Sequence, residues 1–457
     1  MMLRSAKVAA AEEQDNDGTT TGRNAVEEAW WTTAFAPVAD TPAAEQTIGI
    51  AQEPAEYESQ SQYSSKAALE AARFHPQTGG MDVALIDSEW LMQQNGPPPC
   101  RQQLPDDAYF RGSVDAEDVE VLVISHPWLS RDHPDPEGWN LGVATHFLRL
   151  FFTLKSKGKV DDGTFSGKSV TIPPAGEGKR VAIFWSWLSL FQEHNPGGCT
   201  EEQEDSFHRA LMNIDLWYAS SETLVWRLTK LPPAPRLGHD VKRAALRGWS
   251  FMELAMSEMI SPSDRVLDLG LAIDDDSTCR GEPGFFDPFS GLGGWLAAEE
   301  DLRGQYHPTV IKTCSRHRHF PLPPEQFNEA LNSRNFSDAE DADFVKGLYE
   351  KAFQGAVVSA SSLNFCNASF DCPISDLGPI LGMCKDRLRI LDLGRNKKLV
   401  GTLDVLSICE NLESLSLRKC TEVAGGSMSR RKFESNLIDW SRRYAGAAIK
   451  THPTERD

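Results

Sequence analysis

Asp118-Val119-Glu120-Val121-Leu122-Val123-Ile124-Ser125-His126 decides the fold. Its apolar run is short and nearly continuous, as in a strand covered on both faces, and a parallel sheet buries its strands that way. Outward from it the pattern alternates. Leu141, Ala144, Leu148 and Phe151 keep the three-and-four spacing of one helical face, and Val181 to Trp187 reads as a second strand. Phe207, Ala210, Leu211, Ile214, Trp217 and Tyr218 predict one long amphipathic helix, followed by a strand from Thr223 to Thr229. A helix from Trp249 to Ile260 and a strand from Val266 to Leu271 complete the series. Strands alternating with helices at this spacing predict βαβ units, hence an α/β domain with a parallel sheet over 81–271.

Before this domain, residues 1–80 hold twelve acidic against five basic residues among Gln, Ser, Thr, Ala and Pro, which predicts a disordered acidic arm. Glu27-Glu28-Ala29-Trp30-Trp31 within it is either a docking motif or ordinary tail. Residues 156–179 read as a long loop. Beyond the domain, 272–355 predicts a helical connecting segment, with amphipathic helices around Phe327, Ala330, Leu331 and around Phe344, Val345, Leu348, Tyr349, Phe353. Residues 424–457 form a basic tail or a cap with a helix at Phe433 to Tyr444.

Between them, 356–423 reads as a short leucine-rich-repeat solenoid. Leu388, Leu391, Leu393, Asn396 and Leu399 fit the repeat pattern, and Leu412, Leu415, Leu417, Cys420 and Val423 fit it again 24 residues on. A weaker copy holds Leu363, Phe365 and Phe370. A helix would need apolar residues at Asp392 and Arg395, so helical spacing fails. The Asn or Cys at each bend is expected to hydrogen-bond the turn backbone.

The net charge of -20 opposes binding to phosphate backbones, so no nucleic-acid partner is expected. The nine cysteines are an odd number, and five of them (Cys366, Cys372, Cys384, Cys409 and Cys420) take apolar positions or solenoid corners in one segment, so no disulfide framework is expected. No apolar run approaches the roughly 20 residues that span a bilayer, and no secretory core follows the first residues, so a cytoplasmic protein without a membrane partner is expected. Cys314, His317 and His319 have metal-like spacing, but Arg316 and Arg318 interleave them and no fourth ligand matches, so the stretch reads as a solvated basic loop and no metal is expected.

Glu253 stands out on the third helix. With Trp249 at zero and about 100° per residue, the apolar stripe of Met252, Ala255, Met256, Met259 and Ile260 runs from about 240° to about 20°. Glu253 falls at about 40°, on the edge of the buried face, and Glu258 at about 180°, toward water. Glu253 is therefore either paired with Arg247 or Lys242, or functional. Ser125-His126-Pro127-Trp128 and His133 to Gly138 follow the carboxyl end of the first strand, where parallel sheets bind ligands, so His126, Trp128 and Asp135 are candidate lining residues of a cleft or parts of a rigid turn. No glycine elbow surrounds the Ser, which argues against a hydrolase triad.

Three stretches resemble the related TIR and heterokaryon-incompatibility (HET) domains. Asp118 to Trp128 is similar to the first strand of both families, Phe184-Trp185-Ser186-Trp187 to Gln192 to Trp-Ile-Asp-x-x-Cys-Ile-x-Gln of HET domains, and Arg247-Gly248-Trp249-Ser250-Phe251-Met252-Glu253-Leu254 to the Trp-x-x-x-Glu region of both. Ser186 stands where HET domains have Asp, and Ser250 where TIR domains have Cys. The resemblance implies a flavodoxin-like fold of five parallel strands used for self-association and, in some members, for cleaving the nicotinamide–ribose bond of NAD. It adds Ser186 to the candidate ligand-binding residues and makes Glu253 the candidate catalytic carboxylate, with NAD as substrate and no bound cofactor. Joined to leucine-rich repeats, the layout resembles innate-immune signalling receptors. Two functions are thus expected in competition. One is a signalling or scaffold protein that forms a homo-oligomer through the α/β domain and binds a protein partner through the repeats; the other is an NAD glycohydrolase.

Overall fold

The computed structural model describes residues 62–130, 132–156, 180–192, 198–232, 247–273, 314–336, 340–420 and 422–423, with side chains of the 139–156 helix as far as 148. The expected acidic arm as far as residue 61, the loop over 157–179, Lys242 and the tail over 424–457 lie outside these residues.

The main sheet contains β1 (Ile86–Asp87), β2 (Val119–Ser125), β3 (Arg180–Trp185), β4 (Thr223–Arg227) and β5 (Val266–Asp268), in the spatial order β1-β3-β2-β4-β5. The last four run parallel, as expected, whereas β1 is a short antiparallel edge, so the sheet is not five parallel strands. Successive side chains feed opposite cores. Val119, Val121, Val123, Phe184, Val225 and Val266 enter one, and Leu122, Ile124, Ile183, Trp185, Trp226 and Leu267 the other. Both faces are covered, which is why these strands are apolar at consecutive positions.

The covering helices are α1 (Lys66–Ala71), α2 (Trp139–Ser156), α3 (Glu201–Leu211), α4 (Ile214–Ala219), α5 (Gly248–Ser257), α6 (Pro324–Leu331) and α7 (Glu340–Phe353). The single helix expected over Phe207 to Tyr218 is broken in two, although all six apolar positions are buried. At the break the Asn213 amide turns back to the Ala210 carbonyl, and its side chain donates to Arg209 O (3.2 Å). Such local bonds compete with helix continuation. α2 covers the second core, and α3 to α7 cover the first.

The expected helices of 272–355 do more than connect. Phe327 of α6 stacks between Phe251 of α5 (5.2 Å) and Tyr349 of α7 (3.6 Å), making both helices part of the core that α5 belongs to. Order also begins earlier than residue 81. Tyr63 is buried, its hydroxyl donates to the buried carboxylate of Asp215 (2.5 Å), and Lys351 of α7 donates to the other oxygen (2.9 Å). Gly355 lies against the Tyr63 ring so closely that a Cβ there would come within 2.5 Å of it. Residues 62–80 therefore belong to the fold because Tyr63 and α1 supply an apolar face that the acidic composition of the whole stretch obscured.

The core continues into the C-terminal residues. β6 (Ser362–Asn364), β7 (Ile390–Asp392) and β9 (Ser414–Ser416) form a parallel sheet with Leu363, Leu391 and Leu415 in register and buried. β8 (Val400–Gly401) and β10 (Glu422–Val423) form a second parallel pair, to which Pro373 adds a bridge on the β8 side. The bend after each strand repeats in its backbone: Asn367, Arg395 and Lys419 all have φ near +60° (58°, 64° and 64°). The buried Asn396 amide donates to the carbonyls of Phe365 and Leu393 (2.8 Å each), and Cys420 Sγ lies 2.9 Å from Leu393 O, the turn-backbone bonds the spacing anticipated. The eight described cysteines are all free thiols, and no described helix is long and apolar enough to cross a membrane.

Leu393 lies at 0% exposure in this core. Leu393→Asp buries an unpaired charge and is expected to lower unfolding free energy by about 3 kcal/mol or more. Chemical denaturation followed by circular dichroism checks this, and a loss under about 1 kcal/mol would mean that the site reaches water.

Candidate functional site

The chain runs from β2 to β3 on one side, then crosses back over β2 to place β4 on the other. The order of strands therefore reverses between β2 and β4, and open α/β sheets bind ligands beyond the carboxyl ends of the strands at such a point. Ser125 and Arg227 end these two strands in register with each other. α5 crosses beside them and delivers Glu253.

The Glu253 carboxylate accepts hydrogen bonds from Ser125 Oγ (2.6 Å) and from the hydroxyl of Tyr218 (2.9 Å), the last aromatic of α4. Of the two alternatives for this carboxylate, pairing with Arg247 or Lys242 is not what the described residues show, since its bonds go to two hydroxyls and Lys242 lies outside them. Burial raises its pKa to about 7, although both hydrogen bonds and the nearby Arg227 pull the other way. Its side chain is still partly exposed. A carboxyl of this kind can exchange a proton near neutral pH or, once ionised, stabilise a neighbouring cationic centre.

Beside it lies a buried ionic network. Asp268, at the end of β5, accepts from the Thr229 hydroxyl and the Gly270 amide (3.1 Å), and pairs with Arg316 (2.7 Å) and Arg227 (3.7 Å). Glu258 is buried near Arg318, Arg227 and Arg316 instead of facing water, and burial raises its pKa. The wheel fails there because α5 ends at Ser257, and Glu258 continues with ψ near zero. The basic loop is corrected likewise: Arg318 is 2% exposed and donates to Ser261 O (2.8 Å), and Cys314 is buried in the second core. Its metal-like spacing is not the grouping that forms, since His319 comes instead beside Cys372 and Asp376.

The other candidates divide. His126 is buried, takes a hydrogen bond from the Trp185 indole (3.1 Å to Nδ1), and is pushed down to about 3 by burial and by His133, so it is a neutral core group. Asp135 is fully buried and accepts from the Leu141 amide (2.8 Å) at the start of α2; burial raises its pKa to about 6 against the pull of those amides. It caps a helix. Trp128 is half-buried with its ring edge-on to Trp187 (5.6 Å), and His133 packs on the same indole (5.0 Å). Ser186 is buried directly after Trp185, which pairs with Ile124, and so stands level with Ser125 on the neighbouring strand. Glu253 is the candidate that joins the strand ends. Sequence reasoning missed Tyr218, counted only for its ring, and Arg227 and Asp268, each a charge closing an otherwise apolar strand.

Compared with known protein families, with curated proteins and with solved structures, the chain matches none.

Because Glu253 holds its proton more tightly in the fold than in the unfolded chain, it weakens the folded state as pH rises from about 4.5 to about 7, and adds no further loss above that. Wild type is expected to lose up to about 3 kcal/mol relative to Glu253→Gln between pH 4.5 and pH 8. Urea titrations of both proteins measure the difference, and parallel pH profiles would show a solvated carboxyl.

Proposed function

We propose that the protein is a cytoplasmic signalling or scaffold module that recognises a protein partner through C-terminal leucine-rich repeats and self-associates through a TIR/HET-like α/β domain. The observation that carries this reading is the ladder of Leu363, Leu391 and Leu415. Because these turn inward, Ser362, Asn364, Ile390, Asp392, Ser414 and Ser416 face the other way, and Ile390 is 45% exposed. Short polar side chains around an exposed apolar residue suit a recognition surface. The order β3-β2-β4-β5 corresponds to 2-1-3-4 of the flavodoxin-like arrangement and supports the α/β half of the proposal, as does Glu253 at the third resembling stretch.

Ile390→Glu leaves the core untouched and is expected to weaken retention of the partner roughly tenfold in quantitative affinity capture. A partner held equally by wild type and variant would remove the repeat face from the interaction.

A second reading, NAD glycohydrolase, is favoured by one observation: a carboxyl held by two neutral hydroxyls where the strand order reverses. The ionised Glu253 would stabilise the cation-like ribose formed as the nicotinamide bond breaks. Incubation with NAD separates the two. The interaction reading expects no nicotinamide above buffer. Release by wild type that is abolished in a folded Glu253→Gln would establish the catalytic one.

A further inference from the structure

Residues 318–320 and 369–371 lie side by side, with the Arg318 amide donating to Ser369 O (3.1 Å) and the Asp371 amide to Arg318 O (3.0 Å). Phe320 packs on Phe370 at 4.2 Å and fixes the approach. Cys372 is held from its other side, where the Val400 amide donates to its carbonyl (3.3 Å). Asp376 follows on the 3-10 turn Ile374–Leu377, its amide bonded to Pro373 O (3.1 Å). Three rigidly placed backbones thus converge. A nitrogen of His319, Sγ of Cys372 and a carboxylate oxygen of Asp376 all lie within 4.8 Å of one another.

Bonds of about 2.0–2.3 Å in a tetrahedral zinc site place the donor atoms roughly 3.3–3.8 Å apart, so small side-chain rotations close the gap. Asp376 is exposed and has that freedom. The nearby Asp371 is already engaged by Lys398 (2.6 Å). The donors run from a buried thiol through a partly buried imidazole to a solvent-facing carboxylate, which leaves the outer position to water. A thiolate and an imidazole select zinc, or cobalt in its place, over calcium or magnesium, which prefer oxygen alone.

We propose that His319, Cys372 and Asp376 bind one zinc ion, with water as the fourth ligand, and that the ion clamps the 314–322 segment to the first strand-turn unit of the C-terminal sheet. Neither the α/β site nor the strand face takes part, so this stands whatever the fate of the function proposed above.

The test uses the full chain stripped with chelator and titrated with cobalt(II), then zinc(II). One equivalent of cobalt is expected to bind with a thiolate-to-cobalt charge-transfer band, zinc should displace it, and either ion should raise the melting temperature. Asp376→Asn, a surface change, is expected to weaken binding roughly tenfold or more, and Cys372→Ser to abolish the band. His317→Ala, two residues from His319 and exposed, should bind as wild type. Absence of the band, its survival in Cys372→Ser, or equal affinity in Asp376→Asn would each overturn the proposal. If Cys372→Ser fails to fold by circular dichroism, Asp376→Asn decides.

Discussion

The ion pair between Asp268 and Arg316 ties the carboxyl edge of the main sheet to the segment that leads toward the C-terminal sheet. Asp268 closes β5 at the carboxyl edge of the main sheet, and Arg316 belongs to the segment that runs on to lie beside Phe370. A carboxyl at 1% exposure gives up its hydration, and that loss is offset only through partners. It has four: Arg316, Arg227, the Thr229 hydroxyl and the Gly270 amide. Removing one member of such a buried group typically costs about 3–5 kcal/mol, while the intact group adds little net stability. Its contribution is to position. The same rule accounts for Asp215, whose carboxylate ties Tyr63 and α7 to α4, and for Asp82, which fixes Arg209 of α3.

Glu253 differs from these carboxylates in the sort of partner it has. Two neutral hydroxyls hold it, and Arg227, whose charge acts on it, is shared with Asp268. Hydroxyl donors offset less of the desolvation cost than an ion pair does, so its proton is held toward neutral pH while Asp268 has two arginines. The distinction follows from position. β4 and β5 are adjacent, so Arg227 reaches across to Asp268, and Glu253 receives what lies on its other side, Ser125 and Tyr218.

The parts of this fold that were legible in the sequence are those in which one periodicity acts alone. The strands β2 to β5 and the in-register leucines could be read because burial on both faces, or on one, writes directly into apolar spacing. Glu253 was legible as a carboxylate on the edge of a helical stripe. Glu258 was not, because a wheel assumes a helix that had already ended, and Tyr218 was hidden because its ring satisfied the apolar pattern while its hydroxyl did the polar work. Arg316 and Arg318 resembled a solvated loop since their partners, Asp268 and Ser261, lie about 50 residues away in the chain. Tyr63 was lost in the averaged charge of its surroundings. For Tyr218, Arg316, Arg318 and Tyr63 the deciding partner is distant in sequence, and local composition contains no term for it.

The segment around Arg316 also governs what the two halves can communicate. Within a few residues it pairs with Asp268 through Arg316, donates to Ser261 through Arg318, and lies against 369–371 through two backbone bonds. A path of ion pairs therefore runs from this strip through Asp268 to Arg227, beside Glu253. A path alone is not coupling, which requires an element with two arrangements that both sites bias. Here Arg318 is buried and bonded at both its main chain and its guanidinium, which ties the strip to the main sheet side and to 369–371 at once. Among the described residues, the face around Ile390 and the carboxyl of Glu253 share no bonded partner, so a substitution at one leaves the contacts of the other in place.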